Sequence, residues 1–191
     1  MLYPLAKLVG RLLGKAFGLS VAGHENIPHG GCVIVVGHHS GLDPLPLAAA
    51  FSRRLRFLGT ATYFRLPIGL AYGLLGAVPI RRGQSDRNAL SRIVALAARG
   101  EAVVVFPEGT RRTKGLVSRL LARAEHHRPY PRRGAAHIAI TARVPILPVG
   151  LRGPRRLTRW QVRIGAPIDS TGKTVAELTE ELWRAITRLE T

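Results

Sequence analysis

Two side chains suited to proton transfer, His38 and Asp43, lie five residues apart in the sequence. An imidazole held by a carboxylate is a good general base, because the carboxylate fixes the tautomer and stabilises the imidazolium as it forms. On a regular helix the two side chains would point about 140° apart, since each residue turns by about 100°. They meet only if the chain turns between them, and Ser40-Gly41 is typical of a turn.

The spacing alone leaves two alternatives open for this pair. In the non-catalytic alternative Asp43 caps a helix and His38 lies in an ordinary loop, and the spacing alone favours this alternative, because His-x4-Asp is a short pattern that recurs by chance. No serine or cysteine stands in a nucleophile-elbow motif nearby. If the pair is catalytic, the simplest chemistry is therefore direct attack by a hydroxyl of the substrate, with the imidazole as base.

Two further polar clusters come directly after apolar runs. One is Arg81-Arg82, whose planar guanidinium groups suit a phosphate monoester. The other is the PEGTRR segment at 107–112, in which the Glu-Gly-Thr triplet at 108–110 offers backbone N–H groups, a hydroxyl and a carboxyl to a ligand. A solvated arginine pair and an ordinary surface acid are the alternatives in a chain this basic.

The elements that would position these clusters alternate between strand and helix patterns. Strands are predicted at 32–36, 55–58, 77–80, 102–106, 145–151 and 161–164. Helices are predicted at 44–51, 66–75, 89–97, 135–142 and 175–189. This alternation predicts a single α/β domain over 19–191, with a mostly parallel central sheet flanked by helices. Ligands of such sheets bind outside the carboxyl ends of the strands, which is where the three polar clusters lie.

Residues 1–18 have leucines at helical spacing beside a cationic stripe of Lys7, Arg11 and Lys15, which predicts an amphipathic N-terminal helix. Two interpretations are equally supported. The helix packs on the core, or it lies in a membrane interface with its cations against anionic lipid.

Composition restricts the class of protein. The 191 residues carry a formal net charge of +18, which implies an anionic partner, either nucleic acid or an anionic membrane surface. The single cysteine, Cys32, excludes an intrachain disulfide. No cleavable signal peptide is recognisable, and the uncharged run 66–80 is too short for a membrane span. We therefore expect a peripheral protein on the cytoplasmic face of a membrane.

Four ordered motifs resemble those of the glycerolipid acyltransferase family, which includes the 1-acylglycerol-3-phosphate acyltransferases. His38 and Asp43 match the His-x4-Asp motif, and 76–82 matches Gly-x-x-x-Ile-x-Arg through Gly76, Ile80 and Arg82. Residues 106–111 reproduce the third motif, Phe-Pro-Glu-Gly-Thr-Arg, and 144–149 the apolar Pro-x-x-Pro segment. The resemblance covers about residues 21–168.

The resemblance implies an α/β fold and an O-acyltransferase activity. It implies that His38 is the general base, assisted by Asp43, and that Pro148 shapes the acyl-donor side. It also implies that the acceptor's phosphate and glycerol are held by the substrate-binding residues Gly76, Ile80, Arg82, Glu108, Gly109, Thr110 and Arg111. The donor would be acyl-CoA or acyl carrier protein, with no cofactor and no metal.

The acceptor implied first is 1-acylglycerol-3-phosphate, which would give phosphatidic acid. The alternatives are glycerol-3-phosphate, another lysophospholipid or a lyso-ornithine lipid. A basic nucleic-acid-binding module and a catalytically inactive membrane scaffold are further alternatives, although the chain shows no nucleic-acid-binding motif and no stacking-aromatic pattern.

Three features depart from the family pattern. Gly37 stands where many relatives have asparagine, and Arg111-Arg112 replaces Ser-Arg. The segment 111–133 is longer than usual and has eight cationic residues against one acid, Glu125. This segment is a membrane-facing loop, a docking patch for an acidic carrier protein or an unstructured insert.

Overall fold

Short apolar runs, rich in β-branched residues, form the strands of one central sheet. The computed structural model describes residues 3–37, 43–60, 77–80, 87–107, 132–152 and 159–190. The strands are β1 (Ser20–Ala22), β2 (Cys32–Val36), β3 (Leu55–Thr60), β4 (Val78–Ile80), β5 (Ala102–Val105), β6 (Ile146–Arg152) and β7 (Gln161–Ile164). The helices are α1 (Tyr3–Ala16), α2 (Pro44–Ala50), α3 (Arg87–Ala98), α4 (Gly134–Ala142) and α5 (Val175–Glu190), with a 3₁₀ turn at His24–Asn26.

The strands lie in the order β1-β7-β6-β2-β5-β3-β4. Strands β6, β2, β5, β3 and β4 all run in one direction. Strand β7 is antiparallel to β6, and β1 is parallel to β7, so the last two strands run the other way. The predicted α/β fold with a mostly parallel sheet is confirmed.

Every residue of β2 and β5 is buried, because helices cover both faces of the sheet. Alternate side chains of these strands enter two cores. One core lies under α3, α4 and α5 and contains Val33, Val103 and Ile146. The other lies under α2 on the opposite face and contains Ile34 and Phe51.

The predicted strands and helices that fall on described residues are all present, with ends that differ by up to two residues. The predicted helix at 66–75 lies outside the described residues. Two features were not predicted: the short strand β1, and the reversed direction of β7. The capping box at the start of α5 is present, since Thr174 N–H donates to Glu177 Oε2 at 2.8 Å and Glu177 N–H donates to Thr174 Oγ1 at 3.3 Å.

Helix α1 packs on α2 at two glycines. A Cβ at Gly10 would lie 3.2 Å from the Leu45 carbonyl oxygen, and one at Gly14 would lie 3.8 Å from Ala49 Cβ, both in α2. The missing side chains therefore allow close approach of the two helices. Leu8 and Leu12 remain 53% and 59% exposed. The helix is thus attached to the domain while part of its apolar surface faces outward, which combines features of both interpretations of this segment.

Gly31 marks a second close approach, between the start of β2 and the end of α3. A Cβ on Gly31 would overlap the carbonyl oxygen of Ala97. Both groups are backbone, so no change of side-chain rotamer can relieve the overlap.

We expect Gly31→Ala to lower the free energy of unfolding by about 2–3 kcal/mol, as overpacking does in other cores. Gly30→Ala is the matched control, since a Cβ there meets nothing within 4 Å. That control should be neutral or stabilising by up to about 1 kcal/mol. Urea unfolding of both variants measures the difference, and equal midpoints would contradict the close contact.

Candidate active site

The carboxyl ends of four parallel strands meet at one edge of the sheet, and each strand that precedes a predicted polar cluster is among them. Val35 of β2 pairs with Val105 of β5, so these two strands end in register. On the other side of β5, β3 pairs with β4, where Thr60 lies opposite Ile80. Neighbouring strands are about 4.8 Å apart, so the ends of β2 and β4 are separated by about 14 Å. We call this edge the carboxyl edge.

Asp43 lies at the carboxyl edge, at the start of α2, and its side chain is fully buried. Its backbone is already helical, with φ −51° and ψ −33°, and its side chain makes no capping hydrogen bond. Asp43 therefore occupies the N-cap position of α2, but its side chain does not cap the helix. Pro44 occupies the first helical position, as predicted, where the missing N–H costs nothing.

Most of the other predicted site residues lie outside the described part of the chain. These are His38, Gly76, Arg82, Glu108, Gly109, Thr110 and Arg111. The described strands fix where the chain leaves the sheet before each of them: His38 comes two residues after β2, Arg82 two residues after β4, and Glu108 three residues after β5. Ile80, the last residue of β4, is the member of the second motif that the structure does describe. The roles predicted for these residues remain predictions.

The basic segment 111–133 is anchored at the same edge. Residues 132 and 133 are its described end, and Arg132 N–H donates to the Pro107 carbonyl oxygen at 2.9 Å. Pro107 is buried directly after β5, and α4 begins at Gly134. The chain therefore leaves β5 and returns to α4 at neighbouring points of the carboxyl edge.

Pro148 lies inside β6, opposite Val35 of β2, and faces α5. It borders a groove of about 560 Å³, whose apolar lining includes Ala166, Pro167, Ala185 and Leu189. This groove and α2 lie on opposite faces of the sheet, so the structure does not bring Pro148 together with Asp43. A role for Pro148 on the acyl-donor side stays a prediction.

Cys32, the only cysteine of the chain, is not suited to nucleophilic chemistry. It is fully buried in β2, and burial raises the pKa of its thiol to about 11, against a smaller lowering effect of the Arg53 charge. At neutral pH the thiolate that would attack a substrate is therefore scarce. Within the described ranges, no group of three or more His, Cys, Asp or Glu side chains is arranged to hold a metal ion. Nor is any helix there both long and apolar enough to cross a membrane.

One group of surface residues was missed at the sequence level. The exposed arginines Arg92, Arg99 and Arg143 belong to α3 and α4 or directly follow them, and neither helix contains an acid. The sequence does show this pattern, because residues 87–99 and 132–143 contain arginines but no aspartate or glutamate.

The chain is similar in sequence to known acyltransferases. The chain is 32% identical over 142 residues to the chloroplastic 1-acyl-sn-glycerol-3-phosphate acyltransferase BAT2 of Brassica napus, which covers 72% of this chain and 38% of that protein. It is 28% identical over 188 residues to the 1-acyl-sn-glycerol-3-phosphate acyltransferase of Pseudomonas aeruginosa, covering 89% and 68% of the two chains. The chain thus spans about two fifths of the length of the plant relative.

A solved structure has the same fold. The 1-acyl-sn-glycerophosphate acyltransferase PlsC of Thermotoga maritima superposes with a TM-score of 0.74 over 97% of this chain and 77% of that one, at 21% sequence identity. The sequence profile of the Acyltransferase family matches residues 18–152, from just before β1 to the end of β6. This match includes β2, β4, β5 and the motif residues that follow them, and the chain therefore belongs to the acyltransferase family.

Proposed function

We propose that this protein transfers a fatty acyl chain from a thioester donor to a hydroxyl of a lysophospholipid, with 1-acylglycerol-3-phosphate as the acceptor and phosphatidic acid as the product. The observation that carries the proposal is the common carboxyl edge, where β2, β4 and β5 end two or three residues before His38, Arg82 and Glu108. The names of the plant and Pseudomonas relatives support the choice of acceptor.

In the proposed reaction, His38 removes the proton from the acceptor hydroxyl, and the oxygen attacks the thioester carbonyl carbon. The tetrahedral intermediate collapses with cleavage of the carbon–sulfur bond, and the leaving thiolate takes the proton back from the imidazolium. Asp43 holds the imidazole. The complete burial of Asp43 supports this role, since a carboxylate shielded from water interacts more strongly with a neighbouring imidazolium.

The acceptor is proposed to bind between the ends of β4 and β5. Arg82 and Arg111 pair with its phosphate, and the 108–110 triplet holds the glycerol, with Gly76 and Ile80 shaping the loop before Arg82. The distance between the strands supports this arrangement, because β5 and β4 are two strand spacings, about 10 Å, apart, and a glycerol phosphate covers this distance together with the side chains that bind it. The donor is acyl-CoA or an acyl carrier protein.

Helix α1 is proposed to hold the protein on an anionic membrane surface. Leu8, Leu12, Arg11 and Lys15 are exposed on it beside a groove of about 610 Å³. Lys7 has a different role, since its ammonium group donates to the Ser52 carbonyl oxygen, and burial, followed by the Arg11 charge, lowers its pKa. The cationic stripe predicted from the sequence therefore reduces to Arg11 and Lys15, which flank leucines in the pattern of an interfacial helix.

We expect His38→Ala to lower kcat by roughly 10²–10⁴, the usual contribution of a general base. Asp43→Asn should lower it by at least about 10², because the amide no longer stabilises the imidazolium. His29→Ala and Asp169→Asn are matched controls, since both residues are exposed and lie away from the carboxyl edge. Thioester-dependent acylation of 1-acylglycerol-3-phosphate measures all four, with thermal unfolding to confirm that each variant is folded. Full activity in folded His38→Ala would contradict the mechanism.

We expect Arg82→Ala to raise the KM for 1-acylglycerol-3-phosphate roughly tenfold or more, since a charge-assisted hydrogen bond to the phosphate is lost. The KM for monoacylglycerol, which lacks the phosphate, should change little. Arg81→Ala is the neighbouring control and should have a smaller effect on both. An equal rise for the two acceptors in Arg82→Ala would exclude a phosphate-specific role for this arginine.

The acceptor itself is tested by product analysis. We expect mass spectrometry of reactions with the purified protein to show phosphatidic acid as the dominant product when 1-acylglycerol-3-phosphate, glycerol-3-phosphate, other lysophospholipids and lyso-ornithine lipid compete. A dominant product from any of the other acceptors would keep the reaction class and change the proposed substrate.

We expect both Leu8→Gln/Leu12→Gln and Arg11→Gln/Lys15→Gln to weaken binding to vesicles that contain anionic phospholipid, by roughly thirtyfold for the charge variant, which removes two cations at about 1 kcal/mol each. Arg54→Gln/Lys173→Gln removes the same charge elsewhere, before β3 and α5, and should bind as the unaltered protein does. Vesicle co-sedimentation measures the affinities. Unchanged binding in both α1 variants would assign the helix to the domain core alone.

A further inference from the structure

The outer surface of α3 and α4 is strongly cationic and contains no acid. We call it the α3–α4 face and define it by the exposed side chains of Arg92, Arg99, Arg132, Arg133 and Arg143. Residues 87–99 and 132–143 contain six arginines and neither aspartate nor glutamate. The two helices pack side by side on the sheet, so their arginines share one surface.

The neighbouring helix α5 on the same side of the sheet shows the opposite charge pattern. It contains four glutamates and two arginines. Its charges are largely paired, as in Arg184 Nη2 to Glu180 Oε1 and Lys173 Nζ to Glu181 Oε2, both at 2.5 Å. Ion pairs among the described residues involve none of the five arginines of the α3–α4 face. Among the described helices on this side of the sheet, α3 and α4 therefore lack acids, whereas α5 does not.

The charge at the start of α4 opposes the usual preference of helices. The first turn of a helix favours acidic side chains, because the helix dipole is positive there. Helix α5 follows this preference with Glu177, whereas α4 begins after Arg132 and Arg133, and neither α3 nor α4 has an acid in its first turn. Both helices start at the carboxyl edge, so their dipoles, together with Arg132 and Arg133, add positive potential beside the proposed active site. Arg99 and Arg143 follow the other ends of the two helices, at the opposite edge of the sheet.

The α3–α4 face differs from the surface proposed for the membrane in position and in chemistry. Helix α1 packs on α2, on the other side of the sheet from α3 and α4. In the described part of the chain, exposed large apolar side chains occur on α1, at Leu8, Val9 and Leu12, and not on α3 or α4. A surface with cations but no apolar anchors fits a soluble acidic partner better than the interior of a membrane interface.

We propose that the α3–α4 face is the docking surface for an acidic carrier protein that delivers the acyl chain as a thioester. The proposal rests on the proposed function, which requires a thioester donor. Charge complementarity selects the partner, since five exposed arginines on two helices that contain no acid attract a protein surface rich in carboxylates. With α1 on the membrane, the carrier approaches from the opposite side of the sheet, and both partners have access to the carboxyl edge.

The test compares two donors that carry the same acyl chain, one linked to CoA and one linked to an acyl carrier protein. Arg92→Gln/Arg133→Gln should raise the KM for the carrier-linked donor roughly fivefold, as expected for the loss of two exposed ion pairs. The KM for acyl-CoA should change less than twofold. Arg54→Gln/Lys173→Gln, with the same loss of charge at the opposite edge of the sheet, should leave both values unchanged. Fluorescence anisotropy of labelled carrier protein measures docking independently of catalysis, and the affinity should fall as salt is added.

The outcomes separate this inference from the proposed function. Transfer from acyl-CoA without any use or binding of the carrier would overturn the docking surface and leave the acyltransferase intact. An equal rise in KM for the two donors, or loss of vesicle binding in Arg92→Gln/Arg133→Gln, would also overturn it, because the face would then attract anions or lipid in general. If neither donor supports transfer, the proposed function fails. The docking surface would still be supported if Arg92→Gln/Arg133→Gln weakened carrier binding and the control Arg54→Gln/Lys173→Gln did not.

Discussion

The parallel pairing of β2 with β5 is the constraint on which the rest of the structure depends. Both strands are buried on both faces, and a slip of one residue would exchange the side chains that enter the two cores, so the register is strongly fixed. Because Val35 lies opposite Val105, the chain leaves the two strands at the same level. Packing of apolar side chains thus determines where the polar segments of an acyltransferase begin.

The opposite edge of the sheet is fastened by backbone contacts and by one arginine. Arg53 Nη1 donates to the Pro28 carbonyl oxygen at 2.8 Å, and its Nη2 donates to the Gly100 carbonyl oxygen. These bonds join the loop before β2 to the loop before β5, beside the close approach at Gly31. Arg53 thus joins two loops at the amino ends of the strands by donating hydrogen bonds to carbonyl groups. The polar segments begin at the other end of the strands, at the carboxyl edge.

The sequence predicted the fold class and the described helices and strands because each buried element has a clear apolar period. It did not predict the direction of β7, because an alternating run such as Gln161–Ile164 looks the same in a parallel and an antiparallel strand. Strand β1 was missed for a related reason: Ser20–Ala22 has little strand signal of its own and is held by pairing with β7. The motif identified Asp43, but only the structure shows that it is buried and that its side chain makes no capping hydrogen bond at the start of α2.

The glycines of α1 show why composition alone could not place that helix. In an isolated peptide Gly10 and Gly14 lower helicity, whereas here both are buried and allow α1 to approach α2 closely. The cost in propensity is offset by this contact and by the end of the helix, where the Phe17 ring lies 5.0 Å from that of the buried Trp160. Since the glycine face is used for packing, Leu8 and Leu12 are directed away from α2. The same glycines that lower the intrinsic stability of the helix therefore give it one face that packs on the domain and another that faces outward.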